Sequence, residues 1–152
     1  MHKIASAIKS VIKNAKTVLL VSHVDPDGDS IGSMLGMGML LSQMGITPDF
    51  YSKDGVPRIY RFLVGADKVR NKPVPNLRYD LLFAMDASDV KRLGEDITLQ
   101  TIAKAVINID HHPDNTHYGD INYVELTSST AELVYNLAKA LKIKINQAMA
   151  DA

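Results

Sequence analysis

The chain has 152 residues, enough for one domain with a real core, and its 46% hydrophobic and 22% charged content is ordinarily globular. Seventeen basic residues balance seventeen acidic ones, so no basic excess advertises long nucleic acid, although a local patch can hide inside a neutral total. Without cysteine, disulfides, thiolate zinc sites and cysteine nucleophiles are all excluded.

Ile4, Ile8, Val11 and Ile12 share one helical face with lysines between them, which predicts an amphipathic first helix and not a signal peptide. Thr17–Ser22 is short, apolar and β-rich, the mark of a strand buried on both faces. His23–Ser30 reads as a polar loop, and a helix is expected from about Ile31 to Met44, stopped by Gly45. Gly32, Gly36 and Gly38 suit close helix–sheet packing, and Met34, Met37, Met39 and Met44 suit core filling. The longest apolar run, Ile31–Leu41, is too short to span a bilayer, so a soluble cytoplasmic protein with no membrane partner is expected.

A second strand is predicted near Pro48–Ser52, and Pro57 opens a short helix through Leu63. Tyr79–Met85 and Ala105–Ile109 are further buried strands, and Ile121–Val124 is a short edge strand. Ser128–Leu141 reads as a helix with Ser128 or Ser129 as its cap and Glu132 in its first turn. The alternation predicts an α/β fold, an open, mostly parallel sheet with helices on both faces. In such sheets ligands bind beyond the carboxyl ends of the strands.

Three predicted strands deliver carboxylates and imidazoles to that edge. The first runs into His23-Val-Asp25-Pro-Asp27-Gly-Asp29, the next ends at Asp86, and the third ends at Asp110-His111-His112. Such carboxylates repel one another unless cations neutralise them, and the mixed donor set suits Mn²⁺ or a related divalent ion. A pair of ions about 3.5–4 Å apart can clamp a phosphoryl group and generate hydroxide from water. Each piece alone has an ordinary reading. Asp-Pro-Asp-Gly-Asp is a turn sequence, a lone Asp after a strand is a cap, and a His-His pair is often satisfied within a loop. The glycine position also rules out an EF-hand loop. The coincidence at three strand ends is what those readings leave unexplained.

His23-x-x-Pro26-Asp27-Gly28-Asp29-x-x-Gly32-Ser33, then Asp86, then Asp110-His111-His112, resemble the first three motifs of the DHH phosphoesterases. Gly55–Ala66, Asp86–Arg92 and Ser128–Val134 resemble the subgroup of nanoRNases (oligoribonucleases) and pAp phosphatases. Exonucleases of the RecJ type are more distant. The resemblance implies one ion on His23, Asp27 and Asp86 and a second on Asp29, Asp86 and His111, with Asp86 bridging. It implies two Mn²⁺ ions, with Mg²⁺ or Co²⁺ as substitutes. His112 would contact the scissile phosphate or assist its leaving group, and Asp110 would orient an imidazole. Ser33 would cap the following helix or touch substrate. Arg92 is the basic residue chosen for phosphate contact, since a guanidinium grips phosphate in two places. Asp25 sits at a variable motif position, and His2 and His117 have no partner pattern; none of the three is assigned.

The implied activity is two-metal hydrolysis of phosphoester bonds in short oligonucleotides, pAp, or linear or cyclic dinucleotides. The partners are short oligoribonucleotides or small nucleotide phosphates and not long duplex nucleic acid, with a homodimer allowed. Residues 1–152 would form a catalytic domain incomplete at its C-terminal end. The family's last metal-binding aspartate, in an Asp-Thr-Gly-like motif, and its second, substrate-binding domain would lie beyond Ala152. Turnover by these residues alone is therefore expected to be slight. The competing readings are a family II-like inorganic pyrophosphatase and a non-catalytic metal- or nucleotide-binding module.

Overall fold

The computed structural model describes residues 2–72 and 74–152. Ile8 and Ile12 bury the apolar face of α1 (His2–Ile12), and β1 (Val18–Ser22) follows with every residue buried. α2 spans Gly28–Gln43 and begins three residues before the predicted start, because Asp27 accepts a hydrogen bond from Ser30 N at 2.9 Å and caps it. The residues expected to form a loop, Gly28–Ser30, are therefore the first turn of that helix.

The chain continues through β2 (Asp49–Tyr51) and β3 (Val69–Arg70). Between them, Arg58–Tyr60 is a single 3₁₀ turn where a helix through Leu63 was predicted, and Ala66–Lys68 forms a second. β4 (Tyr79–Met85) keeps its predicted bounds, a 3₁₀ turn covers Val90–Leu93, and α3 (Leu99–Ile102) leads into β5 (Ala103–Asp110). β6 (Ile121–Val124), α4 (Thr130–Ala140) and α5 (Gln147–Asp151) complete the order. Ser129 is the cap of α4, accepting from Glu132 N, while Glu132 reaches back to Ser128, a capping box in outline.

The six strands lie in the order β3-β2-β1-β4-β5-β6, and every pair is parallel. The order reverses between β1 and β4, so the crevice that binds ligands in doubly wound sheets opens beyond Ser22 and Met85. Helical layers cover both faces but are unequal. On one side α1, α2, α4 and part of α5 pack over Leu20, Phe83, Met85 and Ile107. On the other, Leu93, Ile97 and Ile102, with Leu77, Val90, Leu99 and Tyr118 partly buried beside them, pack with Leu19, Val21 and Leu82. α2 lies so close to the sheet that a side chain on Gly38 would collide with the Phe50 ring. No helix among the described residues is long and apolar enough to cross a membrane.

Candidate metal centre

Three strand ends and two helix starts converge on the crevice between β1 and β4. His23 follows β1 and is 3% exposed, and Asp86 follows β4 and is 2% exposed. His23 Nε2 lies 3.5 Å from Asp86 Oδ2 and 3.9 Å from Asp27 Oδ1. On the other side of Asp86, His111 Nε2 lies 3.6 Å from Asp86 Oδ1 and 3.6 Å from Asp29 Oδ2. Asp86 thus stands between two groups of donors. Its backbone is left-handed, with φ 58°, a conformation Asp tolerates better than most side chains, and its N–H donates to Ile109 O.

Both imidazoles are held from behind. His23 Nδ1 lies 2.7 Å from Val24 O and His111 Nδ1 lies 3.2 Å from Thr127 O. The tautomer that donates Nδ1–H to these carbonyls leaves each Nε2 lone pair facing the carboxylates, the arrangement metal-ligating histidines adopt. Ligand atoms of His23, Asp27 and Asp86 lie within 4.8 Å of one another, as do those of Asp86, His111 and His112. The atom His112 brings to that second group, Nδ1, sits 3.8 Å from Asp86 but 2.7 Å from Asp110 Oδ1. Asp29 Oδ2 lies on the far side of His111, 3.6 Å from its Nε2.

The electrostatics follow the same contacts. Burial disfavours charge on Asp86, but His23 and the Thr130 hydroxyl, which donates to Oδ1 at 2.7 Å, hold its carboxyl below the ordinary value. Burial disfavours a proton on His23, yet Asp86 outweighs it and raises the imidazole's pKa. Burial likewise works against a proton on His112, and Asp110 overrides it in the same direction. Burial raises the Asp29 carboxyl even though it accepts from Ala131 N at 2.9 Å and Thr130 N at 2.7 Å. These amides open α4, so Asp29 joins the starts of two helices.

Residues 17–152 match the DHH family, N-terminal domain. The chain belongs to the DHH family.

Among curated relatives, the bifunctional oligoribonuclease and PAP phosphatase NrnA of Thermus thermophilus is 32% identical over 146 residues, covering 95% of this chain and 42% of the relative. The Bacillus subtilis protein of the same name is 30% identical over 122 residues, covering 80% of this chain and 37% of the relative. The DHH-family chain therefore spans less than half the length of these relatives. Among solved structures, an exopolyphosphatase-related protein from Bacteroides fragilis superposes with a TM-score of 0.83 at 25% identity, over 91% of this chain and 44% of that one. RecJ of Thermus thermophilus, at 15% identity and a TM-score of 0.50, shares the fold over 94% of this chain and 21% of its own.

The remaining residues singled out in this DHH-family chain take distinct places. Arg92 is exposed on its 3₁₀ turn with Nη2 3.4 Å from His23 Nδ1, and its carbonyl accepts from Val24 N at 2.7 Å. Ser33 does not cap α2, a role Asp27 fills; it is buried one turn in, donating to Ser30 O at 3.3 Å. Asp110 is fully buried at the end of β5, its Oδ2 accepting from Asn115 Nδ2 at 2.6 Å. Asn115 Nδ2 also donates to Asn108 Oδ1 at 2.8 Å, and Asn108 Nδ2 donates to Ala87 O at 3.1 Å. Thr130, Asn108 and Asn115 were not singled out in the sequence. Asn108 left a signal, as a lone amide interrupting the apolar run Ala105–Ile109. Asp25 stands apart, with φ 51° and its N–H donated to Asp54 Oδ2 at 2.7 Å.

Proposed function

We propose that this chain is the metal-binding catalytic domain of a phosphoesterase that hydrolyses phosphoester bonds in short oligonucleotides, pAp, or linear or cyclic dinucleotides. The observation that carries the reading is the pair of imidazoles, each anchored through Nδ1 to a backbone carbonyl and each presenting Nε2 to Asp86 from opposite sides. Two imidazoles and three carboxylates without sulfur suit Mn²⁺ or a related divalent ion, so the residues fit the group. His23, Asp27 and Asp86 would hold one ion, and Asp29, Asp86 and His111 the other. When bound, the pair supplies charge to draw a phosphoryl group in and to activate water.

The chain's own residues then have definable tasks. Asp86 sets the spacing of the two ligand groups, and Thr130 fixes its rotamer. Asp110 holds His112 through Nδ1, which leaves Nε2 to meet the leaving oxygen and give it a proton. Arg92, beside His23 at the rim, would grip a phosphate oxygen. Ser33, in the second turn of α2, would reach substrate only through the small cavity it lines with Gly32 and Ser129. The curated relatives' names, oligoribonuclease and PAP phosphatase, support the substrate class.

The test is Mn²⁺-dependent hydrolysis of pApA and pAp by the full-length protein, compared with inorganic pyrophosphate. Activity on the nucleotides that disappears in Asp86→Ala is the expected result. Hydrolysis that survives this substitution removes the bridging role, and a preference for pyrophosphate removes the substrate class.

A further inference from the structure

Beyond the ends of β2 and β3, on the same edge of the sheet as the metal ligands, lies an open cleft of about 790 Å³. Arg61, Arg70 and Lys72 line it, together with Asp54 and Asp67. All three cations are exposed, and none forms a salt bridge among the described residues. Arg61 is nonetheless held in place, its Nε donating to Val56 O at 3.1 Å. Of the two carboxylates, Asp54 is already engaged by the backbone N–H of Asp25. Three cations against two carboxylates leave this cleft with positive charge in excess, in a chain that is neutral overall.

The sheet register fixes where that place is. Val21 pairs with Tyr51 and Tyr51 pairs with Arg70, so Arg70 stands level with Val21, two residues before His23. Two strand spacings separate them, about 10 Å at roughly 4.8 Å each. A stacked strand rises about 3.4 Å per nucleotide, so two or three nucleotides bridge that distance. The Asp25–Asp54 hydrogen bond joins the wall of the cleft to the loop that carries His23 and Asp27, which holds the two places in fixed relation.

We infer that this cleft is a second anion subsite, in which Arg61 and Arg70 bind phosphates of the nucleotide chain two or three residues from the one held at the metal centre. The inference rests on the phosphoester reading above, which it deepens by giving the chain a means to prefer oligonucleotides over mononucleotides. Lys72 adds charge to the same wall without the two-pronged geometry of the guanidinium groups.

The test measures binding by this chain, with Mn²⁺ present, of 5′-phosphorylated riboadenylates carrying a 3′ fluorophore. A mononucleotide is compared with a phosphorothioate-linked trinucleotide, which cleavage depletes slowly. Arg70→Ala and Arg61→Ala are expected to weaken the trinucleotide roughly threefold to tenfold each and to lower its salt slope by about one, leaving the mononucleotide unchanged. Arg70→Lys should recover part of the loss. Equal losses for both lengths, or none for the trinucleotide, overturn the subsite. Asp86→Ala separates the two ideas. If it leaves mononucleotide binding intact, the metal-centre reading fails, while a trinucleotide-specific loss in Arg70→Ala still supports the cleft. Inorganic tripolyphosphate added as competitor tells apart a site for any phosphate chain from one fitted to nucleotides. Displacement of the trinucleotide by an equimolar amount would overturn the nucleotide assignment.

Discussion

Thr130 donates its hydroxyl to Asp86 Oδ1 at 2.7 Å from a position that is itself fully buried. The same residue gives its backbone amide to Asp29, so the first residue of α4 steadies two carboxylates of the centre. Thr130→Val keeps the shape and removes only the hydroxyl donor. Mn²⁺ affinity should fall by about 10-fold or more, as when other groups that orient ligands are lost. Titration calorimetry reads this directly, and Thr130→Ser should restore it. A valine variant that binds Mn²⁺ like the parent would show that Asp86 needs no such support.

Asp86 combines buried charge with a left-handed backbone. Asn tolerates that conformation and Ala does not, at a cost of about 1–2 kcal/mol. In chelator, Asp86→Asn should therefore unfold at a higher urea concentration than Asp86→Ala, although both lose Mn²⁺ binding. Equal urea midpoints would mean that the turn relaxes to another conformation when the carboxylate is removed.

Two glycines on α2 should respond in opposite directions. A methyl on Gly36 meets nothing closer than Val134 Cγ1 at 3.9 Å, so Gly36→Ala should stabilise by about 0.5–1 kcal/mol through helix propensity. A methyl on Gly38 runs into the Phe50 ring and comes within 3.2 Å of Leu20 Cδ1. Gly38→Ala should cost about 1–3 kcal/mol. Thermal melts of the two variants, with Phe50→Leu added to the second as a rescue, decide the matter.

Lys104, the amides of Lys16 and Thr17, and the Thr17 hydroxyl converge on the Asp80 carboxylate and hold its pKa far below the ordinary carboxylate range. A depressed carboxyl contributes stability above its unfolded pKa, about 3.9, and loses it as the pH falls toward the folded value. Asp80→Asn should therefore be less stable than the parent at pH 7, and the gap should narrow below about pH 4. Urea midpoints across that range test it; a gap constant down to pH 2 would contradict the assignment.

The sequence showed the central strands because burial on both faces leaves unbroken apolar runs. Tyr79–Met85, central and largely buried, has the predicted bounds, and so does the half-buried edge strand Ile121–Val124. β3 and α3, with two and four residues, are too short to carry a period and are held by tertiary pairing alone. The misplaced start of α2 has a more instructive cause. Gly28, Asp29 and Ser30 look like loop residues, yet Asp27 caps a helix with the carboxylate that also faces His23. The cap of the helix and the proposed metal ligand would be the same residue there. His23, Asp27, Asp29, Asp86, Asp110, His111 and His112 were legible as a group because each lies at or next to a strand or helix end. Thr130, Asn108 and Asn115 were not, since each reaches a partner distant in sequence, Asp86 for Thr130 and the Ala87 carbonyl for the two amides.

The reversal of strand order between β1 and β4 also divides the candidate ligands by chain position. His23, Asp27 and Asp29 come from the first half of the chain, and Asp86 and His111 from the second. An ion that joins Asp86 to His23 and Asp27, or to Asp29 and His111, would be a rivet through the seam where the halves meet. Its binding energy resists their parting, so loading the centre should stiffen the two central strands more than either edge of the sheet.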